Sequence, residues 1–104
     1  MRLENDGKKV ELFANQTLVV QLPRNPSTGF RWQLVDPPNA VMKADGLPAY
    51  APPADMKKVG GTGMETWTLR PLKSGKQDLR FEYRRPWEKS GKADRVVVYK
   101  VTVR

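Results

Sequence analysis

Short segments in which apolar and polar residues alternate recur along this chain of 104 residues and constrain its fold more than any other feature. Two segments show the pattern best, and their apolar positions are Val97, Tyr99, Val101 and Val103 in 95–103, and Leu79, Phe81 and Tyr83 in 77–84. Successive side chains of a strand point to opposite faces, so this alternation predicts half-buried β-strands. No long segment repeats with the 3.6-residue period of a helix, and we therefore expect an all-β fold.

Weaker alternation marks four more segments, with apolar positions at Val10, Leu12 and Ala14; Leu18, Val20 and Leu22; Phe30, Trp32 and Leu34; and Trp67 and Leu69. The prolines at 37–38 predict a turn, and an edge strand is expected at 47–51 because edges tolerate proline. Pro52 and Pro53 would end that strand. Seven or so strands with turn signals every 8 to 12 residues predict one domain over residues 1–104, an antiparallel sandwich or barrel.

The absence of cysteine and histidine narrows the chemistry available to the chain. It excludes disulfides and thiolate metal sites, and it removes the commonest general base and metal ligand. The acids that an enzyme would have to use sit singly: Glu65, Asp78, Glu82, Glu88 and Asp94. No spacing suggests a paired acid and base. We therefore expect no catalytic residues, no metal and no cofactor.

The formal net charge of +8 favours an acidic partner, which could be nucleic acid, an anionic membrane surface or an acidic protein. The charges are dispersed and form no basic arm. No apolar stretch is long enough to span a membrane. The protein is expected to be cytoplasmic if Met1 is native, and periplasmic or secreted if Met1 replaces a removed signal peptide. Asn15-Gln16-Thr17 matches the glycosylation acceptor pattern, but it also suits a polar turn.

Three of the six connections between the expected strands have unusual compositions. If consecutive strands reverse direction, the second, fourth and sixth connections emerge at the same end of the domain. The second holds Asn25, Pro26, Ser27, Thr28 and Gly29. Pro26 fixes its own φ and restricts its predecessor, and Gly29 permits a positive φ, so a stiff turn should present its tip. An ordinary structural turn has the same spacing.

The fourth connection contains Gly60, Gly61, Thr62 and Gly63, and the sixth begins with Arg85, Pro86 and Trp87. Three glycines in four positions allow a backbone to approach another surface closely. A flexible hairpin loop with no binding role would have the same composition. Trp87 lies outside the alternating pattern, so it is expected to be exposed as an anchor for a partner. Its alternative is a tryptophan folded back over the end of the sandwich.

Together the three motifs resemble the chagasin-type inhibitors of papain-family cysteine peptidases. The matching segments are Asn-Pro-Ser-Thr-Gly-Phe-Arg-Trp at 25–32, Gly-Gly-Thr-Gly at 60–63 and Arg-Pro-Trp at 85–87. The resemblance covers nearly the whole chain. It implies an immunoglobulin-like antiparallel β-sandwich of seven to eight strands, and a reversible, competitive inhibitor that occludes the protease cleft without a covalent bond.

The resemblance also implies a role for each loop. Residues 25–29 would enter the centre of the cleft, with Thr28 facing the catalytic cysteine and histidine of the protease. Residues 60–63 would lie along one side, and residues 85–87 would grip the other with Trp87 as the main apolar anchor. The partner would be a papain-like protease of the cathepsin L type or similar, bound by a monomer. Phe30 and Trp32 would root the loop and not touch the partner.

Two departures from the family pattern concern the range of targets. Ser27 replaces a threonine, and Thr62 occupies a position that usually has no side chain.

Two other functions stay open at this stage. One is a basic β-domain that would bind nucleic acid through Trp87, Tyr83, Arg84 and Arg85. Against it, strand alternation splits these side chains between faces. The other is an adhesion or accessory module without inhibitory activity.

Overall fold

Eight β-strands make up the described part of the chain, which covers residues 1–2, 5–25, 28–35, 40–52, 62–85 and 93–104 of a computed structural model. The strands are β1 (Lys9–Leu12), β2 (Leu18–Arg24), β3 (Arg31–Val35), β4 (Met42–Ala44), β5 (Ala49–Ala51), β6 (Gly63–Pro71), β7 (Gly75–Arg84) and β8 (Arg95–Val103). Across these ranges no helix is long and apolar enough to cross a membrane. The expected turn at 37–38 lies outside the described residues.

Two sheets pack face to face. One has the strand order β1-β8-β7-β3, and the other has the order β2-β6-β4 with β5 also paired to β6. The expected all-β sandwich is confirmed. Each alternating segment of the sequence forms a strand, because its apolar face is buried between the sheets while its polar face meets water.

The core lies between the middle strands of the two sheets. Phe81 of β7 is fully buried and makes T-shaped ring contacts with Trp67 and Tyr99 at centroid distances of 5.3 and 6.2 Å. Leu22 and Leu69 are also fully buried. Each such side chain contributes roughly 1.5–3 kcal/mol by leaving water, and this burial is the main force that holds the two sheets together.

The first strand differs from the expectation in its length and direction. β1 ends at Leu12, and Ala14 is exposed in a turn where the N–H of Gln16 donates to the carbonyl of Phe13 at 3.0 Å. Inclusion of Ala14 in the strand was therefore wrong. β1 pairs with β8 in parallel, with Val10 opposite Val101. An alternating pattern reports which face is buried but not which neighbour a strand pairs with, so the sequence could not show this.

The edge strand beside β6 is interrupted. β4 lies opposite residues 69–71 of β6, and β5 lies opposite residues 64–66, both antiparallel to it. Between them Gly46 has a φ of +79°, and Leu47 is 94% exposed. The expected strand at 47–51 therefore begins two residues later, and β4 was missed. Because β4 and β5 run in the same direction, the interruption leaves unchanged the end at which the following connection emerges.

Candidate functional site

The strand register brings three connections to one end of the sandwich. Arg24, the last residue of β2, pairs with Gly63, the first residue of β6. Arg31, the first residue of β3, pairs with Arg84 at the end of β7, and β8 begins beside the same end. The connections β2–β3, β5–β6 and β7–β8 therefore leave from a common end, which we call the loop end. Its central connection, β2–β3, is joined through strand pairs to both of the others.

The β2–β3 connection is closed by its own hydrogen bonds. The N–H of Thr28 donates to the carbonyl of Asn25 at 3.2 Å, and the Thr28 hydroxyl donates to the same oxygen at 2.8 Å. The Thr28 Oγ1 also accepts from the N–H of Phe30 at 3.4 Å. Gly29 has a φ of +79°, in a backbone region that residues other than glycine rarely adopt. The expected positive φ at Gly29 is confirmed, and the turn is stiffened by the side chain exposed beside its tip.

A stack of aromatic rings supports this turn. Tyr83 lies between Trp32, with ring centroids 4.7 Å apart, and Phe30, with centroids 5.2 Å apart. The guanidinium of Arg85 lies 4.6 Å from the centroid of Phe30 and extends the stack. Offset stacking and cation–π contact each add about 0.5–1.5 kcal/mol to simple burial. The stack joins the β2–β3 connection to the first residue of the β7–β8 connection.

Two hydrogen bonds join the sheets beneath the stack. The Trp32 indole N–H donates to the carbonyl of Pro23 at 2.8 Å, and the N–H of Asn25 donates to the Tyr83 hydroxyl at 3.4 Å. Side chains of the opposite sheet thus hold one backbone group of β2 and one of the connection that follows it. Trp32 is buried and Phe30 is half-buried, and these positions agree with the supporting role expected for the two rings.

On the other side, Gly63 is required by close packing. A Cβ placed on Gly63 would meet the carbonyl oxygen of Ala51 and lie 2.7 Å from the Tyr50 Cζ. No side chain fits there without movement of β5. Thr62, the residue before it, is exposed. The backbone at Gly63 is thus approached closely by Ala51 and Tyr50 of the same chain. Approach to a partner through this glycine stays a prediction.

A buried carboxylate lies beneath the same side. Glu65 is 3% exposed on the inner face of β6, and its Oε2 lies 3.8 Å from Nη1 of Arg24. Burial raises the pKa of the Glu65 carboxyl, and the positive charge of Arg24 opposes that rise. Arg24 in turn lies 5.5 Å from the centroid of the Tyr50 ring. This group ties the end of β2 to β5 and β6.

Half of the residues predicted for the site can be placed. Asn25, Thr28, Gly29, Thr62, Gly63 and Arg85 all lie at the loop end. Pro26, Ser27, Gly60, Gly61, Pro86 and Trp87 lie outside the described residues.

The sequence did not predict the supporting contacts made by Tyr50, Glu65 and the hydroxyl of Tyr83. The one available signal was the position of Glu65, two residues before Trp67 on the inward face of its strand.

Among the described residues, no group of three or more acidic side chains could hold a metal ion. The acceptor Asn15 is exposed in the turn between β1 and β2.

Comparison with known sequences gives one family. Residues 11–103 match the family described as "Chagasin family peptidase inhibitor I42". Amoebiasin-2 of Entamoeba histolytica is 31% identical over 102 residues, which cover 97% of this chain and 81% of that protein. Chagasin of Trypanosoma cruzi is 28% identical over 101 residues, which cover 91% of this chain and 89% of that protein.

Comparison with solved structures gives the same fold. The crystal structure of the cysteine protease inhibitor EhICP2 from Entamoeba histolytica superposes with a TM-score of 0.87 at 28% identity, covering 100% of this chain and 93% of that one. PbICP-C, solved in complex with falcipain-2, superposes with a TM-score of 0.67 at 21% identity, covering 100% and 98%. The second likeness concerns the fold alone.

Proposed function

Because the chain belongs to the chagasin family of peptidase inhibitors, it is not an enzyme, and we propose that it inhibits papain-like cysteine proteases by filling their cleft with the loop end. The likeness to EhICP2, which is named a cysteine protease inhibitor, supports this class of target. The complex of PbICP-C with falcipain-2 shows that a chain of this fold binds one protease. Inhibition is reversible and competitive, and residues 1–104 act as a single domain and a monomer.

One observation supports the geometry most strongly: the central connection is joined to both of its neighbours. Strand pairing joins it to β6 through Arg24 and Gly63, and the ring of Phe30 joins it to Arg85. A protrusion with a supported centre and two flanks matches a cleft with two walls. The proposed contacts are residues 25–29 at the centre, 60–63 on one flank and 85–87 on the other.

Stiffness explains how such a loop inhibits without being cleaved. The hydrogen bonds from Thr28 to Asn25 and the positive φ of Gly29 fix the turn before binding. A preorganised loop loses little conformational entropy in the complex, which favours a slow dissociation rate. Cleavage needs the peptide bond in a near-attack geometry. A turn held by its own hydrogen bonds resists adopting that geometry.

The test is steady-state inhibition of papain and of a cathepsin L-type protease. The unchanged protein should inhibit both competitively, and Trp87→Ala should weaken inhibition about thirtyfold or more, since truncation of an aromatic anchor costs about 2 kcal/mol or more. Thr28→Ala should weaken it less. The matched control is Asn15→Ala, in an exposed turn outside the loop end, which should inhibit like the unchanged protein. A folded protein that leaves both proteases fully active at micromolar concentration would refute the proposal.

A further inference from the structure

We propose that Arg31 is a specificity-determining residue that selects papain-like proteases with carboxylates on the rim of the active-site cleft. The inference rests on the proposed function, which names the class of partner, and adds the chemistry that distinguishes one target from another. It is carried by the position of Arg31 beside the loop end and by its lack of an ion pair within the described part of the chain.

The side chain of Arg31 belongs to the outer face of its sheet, at the foot of the central connection. It is exposed, whereas the next residue, Trp32, is buried on the inner face. Its strand partner is Arg84, so two arginines lie directly opposite each other. Like charges in this arrangement destabilise a sheet. The pairing of these two arginines therefore does not itself favour folding.

Among the described residues, the acids near Arg31 are already paired with other arginines. Glu82 accepts hydrogen bonds from Arg80 at 2.8 Å through Oε2 and from Arg84 at 2.7 Å through Oε1, so both of its oxygens are used. Glu65 is buried and has Arg24 within ion-pair distance. The charge of Arg31 is the smallest of the influences on the pKa of the Glu65 carboxyl. Within the described residues no carboxylate forms an ion pair with Arg31, so none of these competes with a partner for its charge.

The opposing pair alone does not mark a site, because the other sheet has a similar one. Lys43 of β4 pairs with Arg70 of β6, and both side chains are exposed. That pair lies near the far end of β6, where Arg70 is seven residues after Gly63, and so is remote from the loop end. Arg31 differs in being adjacent to the connection that fills the cleft.

The chemistry of the side chain names the partner group. An arginine stays charged throughout the pH range of proteins, and its planar fork matches a carboxylate with two parallel hydrogen bonds. The chain has no histidine, and so no imidazole gains a proton and changes the charge of the inhibitor between neutral and mildly acidic pH. An acidic rim would therefore speed association over the range in which its own carboxylates are ionised.

The experiment measures association rate constants and inhibition constants for a cathepsin L-type protease with rim carboxylates. The inhibitors are the unchanged protein, Arg31→Glu and the matched control Lys43→Glu, which makes the same change in net charge. Each is repeated with protease variants in which single rim carboxylates are replaced by lysine. Thermal unfolding is measured for each inhibitor, and Arg31→Glu should be at least as stable as the unchanged protein because the repulsion with Arg84 is removed.

We expect Arg31→Glu to slow association about threefold to tenfold at low ionic strength, and Lys43→Glu to change it far less, because steering depends on charges near the contact. One lysine variant of the protease should restore fast association with Arg31→Glu. Equal effects of the two inhibitor variants, or no rescue by any rim variant, would overturn the inference while leaving the proposed function intact. Absence of inhibition by the unchanged protein would instead refute the proposed function, and the inference with it.

Discussion

The middle of the sandwich and its loop end are held by different kinds of interaction. In the middle, Trp67, Phe81 and Tyr99 meet edge to face inside a layer of buried aliphatic side chains. At the loop end, directional contacts are prominent: the Trp32 indole N–H donates to the carbonyl of Pro23, and the N–H of Asn25 donates to the Tyr83 hydroxyl. Burial is non-directional and tolerates small shifts, whereas hydrogen bonds and close packing fix positions within narrow limits.

This difference separates stability from the shape of the binding surface. The middle should account for most of the free energy of folding, because area removed from water is the largest favourable contribution. The loop end contributes less to folding and includes costs, such as the desolvated carboxylate of Glu65. Substitutions in the two regions should therefore differ in the ratio of lost stability to lost inhibition.

The largest effect on stability is expected from Phe81→Ala. Phe81 is fully buried, and truncation of a core phenylalanine costs about 3–5 kcal/mol through lost burial and a cavity. Chemical denaturation measures the loss. Inhibition per folded molecule should stay unchanged, because the residue lies in the middle of the sandwich and not at the loop end.

A milder variant keeps that test informative. A small domain has only about 5–15 kcal/mol of total stability, and Phe81→Ala could leave much of the protein unfolded. Phe81→Leu keeps an apolar side chain and allows inhibition to be measured on a folded population. A marked rise in its inhibition constant would contradict the separation of the two regions, since it would show that core packing sets the shape of the loop end.

The middle of the fold was predictable because its signal is local. Alternation along 77–84 and 95–103 depends only on which face of a strand meets water, and these segments became β7 and β8. Pairing is non-local, and so neither the parallel pairing of β1 nor the short strand β4 could be read from the pattern. The interruption coincides with the positive φ of Gly46, and both halves of this edge pair with β6.

An intermediate effect is expected from Gly63→Ala at the loop end. The added Cβ would overlap the Ala51 carbonyl oxygen and approach Tyr50, and overpacking of this kind costs about 1–3 kcal/mol. Relief requires movement of β5 or of the start of β6, which carries the flanking connection. The inhibition constant should therefore rise by more than the loss of stability alone explains, as measured by inhibition of papain under fully folded conditions.

The control for this variant is Gly46→Ala. Gly46 has a φ of +79°, but a Cβ there would meet nothing within 4 Å. The substitution should cost roughly 1–2 kcal/mol through backbone strain and leave inhibition unchanged, because Gly46 lies in the break between β4 and β5. If both alanines weakened inhibition equally, the effect at Gly63 would reflect general destabilisation and not the shape of the loop end.

The candidate site was predictable in its motifs but not in its supports. Proline and glycine predict turns from local sequence, and a tryptophan outside the alternating pattern predicts an exposed anchor. These signals assigned Asn25, Thr28 and Arg85 to connections that the strand register brings together. The contacts beneath them join residues far apart in sequence, such as Asn25 and Tyr83, which are 58 positions apart. No local pattern indicates that a tyrosine expected to face inward will also accept a hydrogen bond from a loop.

The smallest expected effect is a pH dependence that originates at Glu65. Burial raises the pKa of its carboxyl above the ordinary value of 4.5, so the folded state binds this proton more tightly than the unfolded state. Stability therefore falls as pH rises through the interval from 4.5 to the raised pKa of Glu65. Denaturation of the unchanged protein and of Glu65→Gln, compared across this interval, measures the effect.

Glu65→Gln is the right reference because it retains the size and polarity of the side chain without the titration. The lowered pKa values of Glu11 and Glu82, caused first by hydrogen bonds from arginines, act in the opposite direction but are present in both proteins. The unchanged protein should therefore gain stability relative to Glu65→Gln as pH falls. If it loses stability instead, the attraction of Arg24 outweighs desolvation. The ion pair of Arg24 with Glu65 would then stabilise the loop end, and burial of the Glu65 charge would not be a net cost to folding.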